Sequence, residues 1–80
     1  MTFNQIIAKR TKQLLNKHQW TQFTLSMRSG IPRSTVCHIL KGHGEAIKTI
    51  TLLNICRGFG ITITEFFDDP CFALENIDDD

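Results

Sequence analysis

QFTLSMRSGIPRSTVCHILK, running from Gln22 to Lys41, spells two short helices joined by a tight turn at Gly30. Leu25, Ser26, Ile31, Val36 and Ile39 fall where such a pair touches itself or a third helix. Gly30 supplies the bend, because glycine takes positive φ there without steric cost. Pro32 is expected to open the second helix, where its missing N–H is harmless and its φ is already helical. That helix then turns Arg33, Ser34, Thr35 and His38 to solvent. An apolar back with a basic, hydrogen-bonding front suits the major groove of DNA, so DNA binding is the first expectation.

Outward from this pair the chain continues to read as helix. Helix 1 is expected from about Phe3 to Lys17, with Phe3, Ile6, Ile7, Thr11 and Leu14 inward and Lys9, Lys12 and Lys17 outward. Trp20 follows it and should plug the space beneath the first two helices. Thr21 is an N-cap candidate for helix 2, Gln22 to Ser29. Helix 3 is expected over Pro32 to Leu40. Lys41-Gly42-His43-Gly44-Glu45 is a flexible break. Helix 4 should cover Thr49 to Phe59, because Leu52, Ile55, Cys56 and Phe59 form one stripe at i, i+3, i+4, i+7. Gly60 then stands where a left-handed cap belongs. Thr62 with Glu65 makes a capping box for a short helix 5, which Asp69-Pro70 stops near Phe67 or Asp68. No segment alternates as a strand would, so the expected class is all-α.

Charge is divided sharply along the chain. Residues 1–64 carry all nine Lys and Arg against the single acid Glu45, a net +8, while residues 65–80 carry seven acids and no base. A basic body with an acidic tail hints at nucleic-acid binding. A solvated basic face with a solubilising tail would look the same by charge alone, and the helical pair separates the two. The expected division is a DNA-binding domain over 1–68 and an acidic tail over 69–80. Phe72, Leu74 and Ile77 leave open whether that tail docks, dimerises or frays.

Several function classes are unpromising. Cys37, Cys56 and Cys71 are odd in number and form no CxxC pair, which argues against a disulfide framework or a zinc site. His18, His38 and His43 show no repeated ligand spacing, so neither metal nor cofactor is expected. Cys37 and His38 are neighbours on one helix and diverge by about 100°, too far for a nucleophile–base pair. Paired carboxylates and a phosphate-binding glycine loop are also missing, so the chain is not expected to be an enzyme. No apolar run approaches the ~20 residues that span a bilayer, and MTFNQIIAKR lacks the layout of a secretory signal. A cytoplasmic protein without a membrane partner is expected.

Trp20-Thr21-Gln22, Leu25-Ser26, Gly30 to Val36, Ile39, Gly42, Leu52 to Ile61 and Glu65-Phe66-Phe67 together resemble the phage-repressor/Cro (XRE-type) helix-turn-helix family over about Ile6 to Asp68. The resemblance implies a compact five-helix repressor-like domain with its helix-turn-helix in helices 2 and 3. Three departures stand out. Ser26 occupies a position that is usually alanine. Helix 3 ends Leu40-Lys41-Gly42 where the family has Glu-Asn-Gly. Leu15 stands where an arginine commonly pairs with that glutamate, so an apolar contact is expected instead.

The resemblance also implies site roles. The N-terminal part of helix 3 would enter the major groove, with Arg33, Ser34 and His38 at base-reading positions. Arg33 can grip guanine O6 and N7 or hold a phosphate, and His38 can read a base, meet a thymine methyl or sit at the rim. Gln22 matches a phosphate clamp at the start of helix 2, and Thr35, Lys41 and His43 are further phosphate candidates. Such proteins bind double-stranded DNA as homodimers, and Ile50, Leu53, Phe66, Phe67 and Phe72 are candidates for that interface or for capping the monomer core. A small transcription regulator, a repressor, is the leading function. The alternative is a protein-interaction or antitoxin-type module gripped through the C-terminal tail.

Overall fold

A computed structural model of the protein describes residues 1–78. The acids Asp79 and Asp80 of the expected tail lie outside the described residues. Five α-helices follow in order: α1 (Phe3–His18), α2 (Gln22–Ser29), α3 (Arg33–Lys41), α4 (Thr49–Phe59) and α5 (Ile63–Phe67). Two 3-10 turns, Pro70–Phe72 and Leu74–Asn76, come after them, and no strand occurs among the described residues.

Each helix is bounded by chemistry within a few residues of its ends. Thr2 and Gln5 form a reciprocal box at the start of α1, the Thr2 hydroxyl accepting from Gln5 N–H at 3.2 Å and the Gln5 amide oxygen from Thr2 N–H at 2.9 Å. Gln19 ends α1 in the left-handed region at φ 56°, and Trp20 N–H closes the turn on the Leu15 carbonyl at 2.9 Å. Gly60 does the same for α4, with Ile61 N–H on the Cys56 carbonyl at 3.0 Å. The Thr62–Glu65 box at α5 has both bonds at 3.0 Å.

The helices are short, so burial rather than propensity holds them. The core cluster runs from Ile7, Leu14 and Leu15 of α1 through Leu25 and Val36 to Ile55, Phe59 and Phe66. Each fully buried side chain of this kind contributes about 1.5–3 kcal/mol. Leu15 and Leu40 are both buried in this one cluster, as expected of an apolar replacement for an ion pair. Thr11, wholly buried, is satisfied by donating its hydroxyl to the Ile7 carbonyl at 2.8 Å.

Three expectations are corrected, those for Phe3, Pro32 and Phe66. Phe3 is 44% exposed, because it begins α1 and the buried stripe starts a turn later at Ile6. Pro32 is the N-cap of α3, with ψ 146° still extended, so the helix begins at Arg33 and extends to Lys41. Trp20 fills a gap against α4, its indole stacked on Phe59 at 5.3 Å and flanked by His18 at 4.8 Å. Phe66 is wholly buried and cannot face a second subunit. Phe67 and Phe72, half-buried, pack edge-on to each other at 4.7 Å and lie against Phe66 at 5.3 and 6.0 Å. These three rings fasten the tail to α5.

The described part of the tail is docked. Cys71 is buried, and Asp69 caps the first 3-10 turn by accepting from Cys71 N–H at 2.9 Å. The α-ammonium of Met1 meets an Asp78 carboxylate oxygen at 2.9 Å, and Asp78 N–H donates to the Met1 carbonyl at 2.8 Å. One arginine ties these parts together. Arg10 donates from Nε to the Phe66 carbonyl at 2.7 Å and from a terminal nitrogen to the Glu65 carbonyl at 2.9 Å. Its other nitrogen lies 3.5 Å from Asp69.

Candidate nucleic-acid interface

The turn between α2 and α3 is locked by two serines. Gly30, at φ 74°, donates its N–H to the Ser26 carbonyl at 3.0 Å. The Ser26 hydroxyl crosses the turn to the Ile31 carbonyl at 2.6 Å, which gives that residue a role an alanine could not perform. Ser29 donates to the Leu25 carbonyl at 2.6 Å and accepts from Ile31 N–H at 3.2 Å. None of these four bonds involves a group that α3 presents outward, so the hinge is stiffened from within.

Behind the turn, α2 crosses α4 at close range. A Cβ built on Gly58 would lie 3.0 Å from Ser29 Cβ and 3.1 Å from both its Cα and its nitrogen. Glycine at 58 is therefore what lets the two backbones approach. Nothing in the stripe of helix 4 singles this position out, and the sequence reading passes over it.

α3 divides cleanly into two faces. Val36, Ile39 and Leu40 are buried, while Arg33, Ser34, His38 and Lys41 are exposed on the opposite side. Thr35 and Cys37 are half-buried on the flanks. Cys37 stands one turn after Arg33 and one turn before Lys41, on the same stripe. Its spacing suits no disulfide, zinc or nucleophile–base role, yet the fold brings it to the edge of this front.

Gln22 is exposed as the first residue of α2. The Thr21 hydroxyl accepts from Thr24 N–H at 3.2 Å, and the preceding first-turn amides have no intrahelical acceptor by helix geometry. They sit at the positive end of the helix dipole, where an anionic oxygen is favoured. Thus the N-terminal turn of α2 lies beside the exposed front of α3, with Phe23 against Arg33.

The loop after α3 is pinned onto α1. The Asn4 side-chain amide donates to the carbonyls of Gly44 at 3.3 Å and Glu45 at 3.0 Å. A Cβ on Gly44 would lie 2.8 Å from His38 Nε2, so that edge of the imidazole is turned toward the loop. His43 and Lys48 are exposed on either side of this contact. Two open grooves border α3. One of about 510 Å³ is lined by Lys9, Lys12 and Lys41, and the other of about 610 Å³ by Thr35, His38, Lys48 and Thr51 among others.

Two arginines lie over aromatic rings. Arg33 has its guanidinium carbon 5.3 Å from the Phe23 ring centre, and Arg28 lies over Trp20 at 5.1 Å. Ile50, at 57% exposure, and Leu53, half-buried, stay together on the outer side of α4. No helix among the described residues is long and apolar enough to cross a membrane. Among the described residues, no three His, Cys, Asp or Glu gather as metal ligands would.

Comparison with known families agrees with this geometry. A family model described as the Cro/C1-type HTH DNA-binding domain matches residues 10–71, from within α1 through the first residues of the docked tail. Neither the curated proteins nor the solved structures yield a match to the chain.

Proposed function

The chain belongs to the Cro/C1-type helix-turn-helix DNA-binding domain family, and from that premise we propose that it is a sequence-specific repressor that reads the major groove with α3. The observation that carries this reading is the two-faced α3, its back clamped in the core and its front open with Arg33, Ser34 and Lys41. Arg33 takes guanine O6 and N7 with two parallel bonds, worth about 1–3 kcal/mol of discrimination. Ser34 adds a weaker contact to a neighbouring base edge. His38, its Nε2 edge turned to Gly44, meets the rim of the groove or a thymine methyl with its remaining edge.

Phosphates flank this contact on both sides. Gln22 and the free amides of α2 hold one strand, while Thr35, Lys41 and His43 serve the other. Lys9 and Lys12 extend the positive field beside Lys41 and favour approach through counterion release. A single α3 reads only a few base pairs, so two copies would bind half-sites about 34–36 Å apart. Ile50 and Leu53 are the proposed contact between copies, with Ile63, 48% exposed on α5, as a further member. Repression then follows from occupancy of the duplex.

A second reading has one observation in its favour. Leu74 is 84% exposed within an acidic segment, which suits a protein partner such as an antitoxin's target. Selection from a randomised duplex pool, with wild type beside Arg33→Ala, separates the two. A two-fold site enriched by the wild type and lost in the variant supports the repressor. Binding that selects nothing and vanishes by ~0.2 M salt is phosphate attraction alone and favours the protein partner.

A further inference from the structure

Phe23 is a large apolar side chain that the core does not use. It is the second residue of α2, 51% exposed, and belongs neither to the core cluster nor to the hydrophobics packed on it. Its ring instead lies beneath the Arg33 guanidinium, at 5.3 Å from centre to guanidinium carbon, within the range of a cation–π contact. The two ion pairs among the described residues involve Met1 with Asp78 and Arg10 with Asp69, so no carboxylate among the described residues pairs with Arg33.

The platform is rigid. Phe23 stands on α2 and Arg33 begins α3, and the two helices are locked by the Ser26 and Ser29 bonds around Gly30. The ring offers no oxygen or nitrogen acceptor, so contact with it leaves the guanidinium's five N–H donors without a competing acceptor. An acidic side chain in the same place would order Arg33 by occupying those donors. A bare surface would leave the long side chain free among many rotamers, all but a few of which are lost on binding.

We propose that Phe23 is a positioning residue that pre-sets Arg33 for base reading, and so determines sequence selectivity without touching DNA. The inference rests on the proposed reading of α3. Replacing Phe23 by leucine removes the quadrupole but keeps apolar bulk. The expected effect is a loss of about two- to fivefold, per half-site, in preference for the base pair that Arg33 reads. Phe23→Tyr keeps the ring and restores the preference.

The test has two arms. In the first, wild type, Phe23→Leu, Phe23→Tyr and Arg33→Ala compete for the selected duplex and for the same duplex changed at the Arg33-dependent base pair. In the second, the Arg33 Nε–H resonance is followed in the DNA-free protein. Support requires a preference reduced by leucine and restored by tyrosine. It also requires a ring-current displacement of Arg33 that leucine abolishes and tyrosine retains. Equal weakening on both duplexes overturns the inference, because it marks a general surface effect. An Arg33 resonance unmoved by leucine overturns it whatever the DNA data show. Wild type that selects no site overturns this inference and the repressor reading together. Selection lost with Arg33→Ala but untouched by Phe23→Leu overturns this inference alone.

Discussion

Replacing Arg10 by methionine should cost more stability than removing any other surface-reaching side chain of the protein. The arginine is 16% exposed, and it joins α1 to two carbonyls at the C-terminal end of α5, 55 and 56 residues away. The Phe66 carbonyl is among the four that a helix end leaves without intrahelical partners, while the Glu65 carbonyl also accepts from Asp68 N–H at 3.3 Å. Methionine keeps an unbranched stem of similar course, so the loss is chiefly one of hydrogen bonding rather than packing. A hydrogen bond to a charged group is worth about 1.5–3 kcal/mol. The Glu65 carbonyl lies in an exposed contact and can recruit water, whereas the Phe66 carbonyl is partly buried and recovers less. The Asp69 pair at 3.5 Å adds at most ~1 kcal/mol.

The expected loss is therefore about 2–4 kcal/mol. A domain of this size has a total stability of roughly 4–12 kcal/mol, so the variant would lose about a sixth or more of it. Its midpoint should fall by roughly 10–30 °C. Urea unfolding followed by helical circular dichroism and Trp20 fluorescence measures this directly. Arg10→Lys should recover less than half, because a single ammonium nitrogen does not reproduce the two guanidinium nitrogens set in a rigid fork on the two carbonyls. Asp69→Asn should cost less in the Arg10→Met background than in the wild type. A loss under ~0.5 kcal/mol for Arg10→Met, against the 1.5–3 expected of even one charged hydrogen bond, would refute the reasoning.

Gly58→Ala should destabilise by about 1 kcal/mol, since crowding against Ser29 costs ~1–3 and exceeds the gain in helix propensity of about 1; a more stable variant in the same urea titration would contradict it. Accepting the Thr62 backbone N–H, and then its side-chain bond, holds the Glu65 carboxyl below its usual 4.5, and the Cys71 N–H does the same for Asp69 below 3.8. Both folded values are depressed, so this stabilisation is complete above pH 4.5 and is lost as pH falls through the carboxylate range. Glu65→Gln and Asp69→Asn should each flatten the acid limb of a stability–pH curve, and an unchanged limb would count against the caps. Maleimide should modify Cys37 first in the folded protein, because Cys56 is buried and burial with Asp69 pushes the Cys71 thiol up to about 11. Mass spectrometry after tryptic digestion identifies the site, and retention of specific DNA binding by the Cys37 adduct would argue that the α3 front does not face DNA.

Much of the fold was legible because its signals act over three or four residues. Thr21, Gly30, Gly60 and the Thr62–Glu65 box each work on their own helix end, so composition and spacing suffice to find them. The stripes of α1, α3 and α4 were legible for the same reason, as a periodicity needs only its own helix. The exceptions lie at the edges. Pro32 suits both N-cap and first-turn positions by its φ, and only the packing of α3 on the core selected the former. Phe3 continued a stripe whose partner surface ends before reaching it.

For the candidate interface, the sequence sufficed to expect Arg33, Ser34 and His38 on the exposed side of α3, because an exposed face is the complement of a buried one. It could not rank Phe66 between core and dimer contact, since an apolar side chain satisfies either and only the neighbouring Phe67 and Phe72 rings decide. Nor could it reveal that Phe23 underlies Arg33, that Gly58 admits Ser29, or that Arg10 caps α5. Each of these joins residues 10 to 56 positions apart, and such pairings exist only once the helices have crossed. Local backbone preference and hydrophobic period were written in the chain; which side chains meet across the crossings was decided by packing.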